Sequence, residues 1–99
     1  MMLNLVIHLD ADKEYSEARM WYEVQKNDLG KRFELSVETI IKKIQATPEF
    51  FKYAKRPFRE ASVVLFPYTV VYKLNKRKGV IYIIAIYHTS RNPKNKYRK

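Results

Sequence analysis

The sequence predicts an α+β fold, a helical hairpin packed on an antiparallel sheet in the order β-α-α-β-β-β. Three observations predict it. Apolar residues recur at three- and four-residue spacing between residues 11 and 47, the signature of two amphipathic helices. Short stretches rich in Val, Ile, Tyr and Phe follow from residue 59 to residue 87, the signature of strands. A further alternating stretch, Leu3 to Leu9, precedes both.

The first strand is read from Leu3, Leu5, Ile7 and Leu9, which share one side of an extended chain. Asp10 reads as the N-cap of the first helix, with Asp12 and Glu14 near its positive end. Ala11, Tyr15, Ala18, Tyr22 and Gln25 form its stripe, with Trp21 beside them. Its end is expected near Asn27-Asp28, because Gly30 follows closely. The second helix runs from Leu29 to about Thr47, on the stripe Leu29, Phe33, Val37, Ile40, Ile41 and Ile44. Pro48 disfavours helical geometry at Thr47 and ends it. Arg59 to Phe66 reads as a strand broken by Pro67, and Tyr68 to Leu74 as the next. Asn75 to Gly79 is a polar hairpin loop with a glycine free to take positive φ. Val80 to Tyr87, the most apolar stretch, is expected to be a central strand covered on both faces.

At 99 residues the chain allows one domain, residues 1–99, with 91–99 as a basic and mobile tail. A chain this size buries roughly 65% of its unfolded surface, enough for a modest core. No cysteine is present, which excludes disulfides, thiolate metal sites and a cysteine nucleophile. No apolar run approaches the roughly 20 residues of a membrane span, and the first residues do not resemble a signal peptide. A cytoplasmic protein without membrane contact, metal or cofactor is the expectation.

Charge is divided unevenly along the chain. Residues 1–51 carry 7 basic and 9 acidic side chains, whereas residues 52–99 carry 13 basic ones against Glu60 alone. Such segregation favours a polyanionic partner, or an acidic protein that masks the basic half.

An ordered set of motifs now carries a resemblance. Glu14-Tyr15-x-x-Ala18-x-x-Trp21-Tyr22-Glu23 is followed by Leu29-Gly30-x-x-Phe33 and Pro48-x-x-Phe51. Arg59-x-Ala61, Phe66-Pro67-Tyr68-x-Val70-x-Tyr72 and Ile86-x-His88-x-x-Arg91-Asn92-Pro93 complete it. Taken together they resemble the RelE/ParE superfamily of type II toxin–antitoxin toxins, in its ParE-like, plasmid-stabilisation branch. The resemblance implies the same helical hairpin on a sheet. It also implies a growth-arresting toxin neutralised by a cognate antitoxin, within a possible hetero-oligomer. ParE-like members poison DNA gyrase; RelE-like members are ribosome-dependent endonucleases that cut mRNA. From another class, a non-catalytic nucleic-acid-binding domain or an inactive family member fits the same charge.

A metal-independent ribonuclease needs a base, an acid and cations that stabilise charge on the phosphate. For that chemistry the candidates are His88, Arg59, Arg91 and Tyr97. A histidine side chain can serve as acid or base, arginines hold phosphate bidentately, and nucleases of the family often use a tyrosine near the C-terminus. RelE-like nucleases, however, carry an arginine where Thr69 stands and lysines where Glu60 and Ser62 stand. For target or nucleic-acid binding the candidates are Arg59, Lys73, Lys76, Arg77, Lys78, Arg91, Lys94, Lys96 and Arg98, expected to form a cationic surface around the end of the last strand.

Overall fold

The computed structural model describes residues 3–90 and Tyr97. Its elements are β1 (Asn4–Ile7), α1 (Leu9–Gln25), α2 (Leu29–Ala46), β2 (Tyr53–Lys55), β3 (Phe58–Ser62), β4 (Tyr68–Asn75) and β5 (Val80–His88). The two helices pack on one face of a single sheet of order β1-β5-β4-β3-β2. The α+β architecture is therefore as expected, with two differences. The sheet is mixed, because β1 lies parallel to β5 while the other pairs are antiparallel. The chain from α1 through β4 supplies the long connection that a parallel pair requires. The second difference is β2, a three-residue exposed edge strand with too few residues to show a period.

The core lies where the stripes meet. Ala11 and Ala18 of α1, with Phe33, Val37, Ile40 and Ile44 of α2, bury against Val70, Tyr72, Ile81, Ile83 and Ile86. Aromatic rings fill one end: Phe33 packs against Tyr22 at 5.2 Å, Phe66 at 5.2 Å and Tyr68 at 5.1 Å between centroids. The face away from the helices, called here the open face, carries a smaller cluster of Phe58, Val71, Ile84 and Ala85. Ile84 and Ala85 are adjacent yet share that face. The β4–β5 register slips between Val71 and Tyr72, so one extra residue of β5 is accommodated as a bulge.

Local details depart from expectation at the helix ends. His8, not Asp10, caps α1, its Nδ1 accepting a hydrogen bond from the Asp10 amide at 3.1 Å. Gly30 does not stop a helix but lies in the first turn of α2. It is there because α1 and α2 approach so closely that a Cβ would sit 2.7 Å from the Arg19 carbonyl oxygen. The link turns instead at Asp28, in the left-handed region at φ 71°, a conformation that Asp tolerates better than most residues. Glu23 braces this corner, one carboxylate oxygen accepting from the Asp28 amide and the other from the Gly30 amide, both at 3.0 Å. The strand expected to reach Phe66 ends at Ser62, and Leu65 takes φ 71° in the turn that follows. Gly79, at φ 64°, closes the β4–β5 turn as expected.

Candidate functional site

Strand alternation assigns each candidate residue to one face of the sheet and one end of it. His88 ends β5 opposite Tyr68 and stacks edge-on against that ring at 5.2 Å, on the helix side. Its Nδ1 faces the Ser90 amide at 3.1 Å and the Ser90 hydroxyl at 2.7 Å. Beside it opens a groove of about 820 Å³ between α1 and the end of β5, lined among others by Glu14, Glu17, Trp21, Tyr68 and His88. Trp21, expected among packing aromatics, is 58% exposed there. Glu14 has a structural task in this groove. β1 pairs with β5 only as far as Ile83, and the Glu14 carboxylate accepts the Ile86 amide at 3.0 Å, beyond the point where β1 has ended. A smaller groove of about 300 Å³ separates β1 from the helices, lined by Leu5, Ile7, Tyr15 and Val37 among others.

Arg59 stands elsewhere. It faces Tyr72 across β3 and β4, four residues along β4 from Tyr68, or about 13 Å at strand spacing. It is only 9% exposed. Its Nη1 donates to the Glu49 carbonyl at 3.2 Å and the Phe51 carbonyl at 2.6 Å, and its guanidinium lies 3.9 Å over the Tyr53 ring. The neighbouring Tyr72 hydroxyl donates to the Pro48 carbonyl at 2.6 Å. Together the two side chains tie the segment after α2 to the sheet, and the guanidinium faces carbonyls rather than solvent.

Tyr97 is on the opposite face from His88. Its ring stacks on Phe58 at 5.4 Å, and its hydroxyl donates to Glu60 Oε2 at 2.6 Å. Glu60, Ser62 and Thr69 share that open face, with Ser62 paired to Thr69 and Thr69 to Tyr87. Thus Arg59, His88 and Tyr97 do not converge on one point. Arg91, Lys94, Lys96 and Arg98 lie outside the described residues.

The remaining described binding candidates come together at one end of the sheet. Lys73 pairs with Tyr82 near the start of β5, its Nζ 5.5 Å over that ring, and Lys76, Arg77 and Lys78 form the β4–β5 turn. Among the described residues these four candidates therefore gather at the start of β5, while the candidates expected beyond its end lie outside the described residues. Two residues that sequence reasoning missed join them. Lys55 lies in one row with Phe58 and Lys73, and Arg56, 4.4 Å over the Tyr53 ring, begins the β2–β3 turn at the same end of the sheet. The available signal was the run Lys52-x-x-Lys55-Arg56-Pro57, a cation cluster leading into a turn-forming proline. Of the six cations at this end, Lys76 is paired, with Glu49 at 2.9 Å. Among the described residues no ion pair is found for the other five. No group of three or more His, Cys, Asp or Glu placed to hold a metal exists among the described residues. No helix there is long and apolar enough to cross a membrane.

Comparison with known proteins bears on this geometry. Residues 5–93 match the family model described as the ParE toxin of type II toxin–antitoxin systems, parDE. No curated protein matches the sequence at a significant level. Among solved structures, a mutant of the E. coli toxin RelE in the free state is similar at a TM-score of 0.69 and 18% identity, over 91% of this chain and 86% of that one. A chain of the chromosomal ParDE system of P. aeruginosa is similar at 0.63 and 13%, over 90% and 98%. The isolated E. coli RelE toxin is similar at 0.65 and 16%, over 91% and 87%. At such identities the structural likeness speaks for the fold alone.

Proposed function

Because the chain belongs to the ParE toxin family of type II toxin–antitoxin systems, we propose that it arrests growth by poisoning DNA gyrase, not by cutting mRNA on the ribosome. A cognate antitoxin holds it in check, in the cytoplasm where gyrase works. One observation carries this reading. The open face bears Glu60, Ser62 and Thr69 at the three positions where RelE-like nucleases present two lysines and an arginine, and Glu60 accepts the Tyr97 hydroxyl at 2.6 Å. A carboxylate in place of a lysine repels the phosphate that a nuclease must stabilise as charge develops. The geometry of the other candidates agrees, since His88 and Tyr97 face opposite sides of the sheet and cannot act as an acid–base pair on one ribose.

The test pairs two measurements. Purified gyrase should lose supercoiling activity with increasing amounts of this protein, and His88→Ala should arrest growth as strongly as the parent. Undiminished supercoiling at a large molar excess, together with ribosome-dependent mRNA cleavage that His88→Ala abolishes, would establish the nuclease reading instead.

A further inference from the structure

We infer that the turn end of the sheet is a docking surface for the phosphate backbone of duplex DNA, so that the toxin grips nucleic acid as well as its protein target. The inference deepens the gyrase reading, on which it rests for its biological setting. It starts from the juxtaposition of two turns: Lys55 and Arg56 at the end of β2, and Lys76, Arg77 and Lys78 between β4 and β5, with Lys73 between them. Lys55 and Lys73 are separated by one strand, hence by about 10 Å, and the β4–β5 turn begins about 10 Å further along β4. Long flexible lysines standing at that spacing cover several phosphates, which recur on each strand of a duplex about every 3.4 Å of helix axis.

One feature favours a phosphate lattice over an acidic protein segment. An acidic segment that orders on binding gains most of its affinity from apolar side chains seated in hollows. Neither of the two grooves described above is lined by any of these six side chains. The cations thus stand apart from both grooves, which suits a sequence-independent backbone contact.

The test contains no gyrase, so its failure and that of the gyrase reading are separable. Binding of the full chain to a 20-base-pair duplex of arbitrary sequence is followed by fluorescence anisotropy across a salt series. Replacing the exposed Lys55, Arg77 and Lys78 by Gln together should weaken binding more than tenfold, to take a rough figure, and lower the slope of log affinity against log salt by about 2.7. A control with the exposed helix lysines Lys13, Lys26 and Lys31 replaced by Gln should leave the slope unchanged. Circular dichroism confirms that both variants are folded. An equal fall in both variants would mean diffuse attraction by net charge, and would overturn the inference. So would tighter binding of a 20-residue polyglutamate, or of single-stranded RNA of the same length, than of the duplex.

Discussion

Tyr72 concentrates the energetics of a single side chain. It is fully buried, its hydroxyl satisfies the Pro48 carbonyl at 2.6 Å, and burial pushes its ionisation up to about 12, against the pull of the Arg59 guanidinium. In the unfolded chain a tyrosine ionises near 10, to within about a unit. The folded state therefore keeps a proton that the unfolded state has lost. The resulting stability is complete below about pH 10 and drains away as pH climbs towards 12, by about 2–3 kcal/mol. Tyr72→Phe should remove that alkaline loss while orphaning the Pro48 carbonyl, at about 1–3 kcal/mol near neutrality. Urea melts of both proteins at pH 7 and pH 11 distinguish the two effects. Equal alkaline losses in both would show that the hydroxyl titrates as freely as in the unfolded chain. Arg59 teaches a related lesson. Its charge and strand position were legible, but the carbonyls that receive it belong to residues 49 and 51, and only folding brings them within 3.2 Å.

At the scale of elements, the helical hairpin depends on close approach at Gly30. Alanine is the better helix former by about 1 kcal/mol. Here that gain is outweighed, because the obstructing groups are the Arg19 carbonyl oxygen at 2.7 Å and the Glu23 Cβ at 2.9 Å, and backbone cannot swing aside. Gly30→Ala should destabilise the protein by about 1–3 kcal/mol net, in the range of overpacked cores. Calorimetry that found a raised melting temperature would mean that the helices separate without cost. The same element shows what periodicity can and cannot reveal. The stripes on both helices were readable because each repeats over several turns, and the long strands because each holds at least five residues. β2 was not readable, since three exposed residues carry no pattern and take strand geometry only by pairing with β3. The parallel placement of β1 was equally hidden, because alternation states which residues share a face and not which neighbour they join.

For the whole molecule, charge is the dominant feature. The formal net charge is +10, and six of the described cations cluster at two adjoining turns while Glu14 and Glu17 line the groove at the far end of β5. Like charges so placed repel in the folded state more than in an expanded chain. Raising sodium chloride from about 20 to 300 mM shortens the Debye length from roughly 20 to under 10 Å, so the melting temperature should rise by a few degrees. A melting temperature that falls with salt would mean that attraction across the ends outweighs repulsion within one.

From the residues alone came the class of fold, both helices, the long strands, the family resemblance and the imbalance of charge between the halves. These are properties of order and spacing along the chain, and they survive in any conformation. That the cations of two separate turns meet at one end of the sheet, and that His88, Arg59 and Tyr97 part company across two faces, was decided by strand register and direction. Register is set by distant residues packing together, through the parallel seat of β1, the bulge at Ile84 and the crossing of helices at Gly30. No single element's sequence contains that information, because each of those choices is made between separate elements, as where Asn4 of β1 meets Val80 of β5.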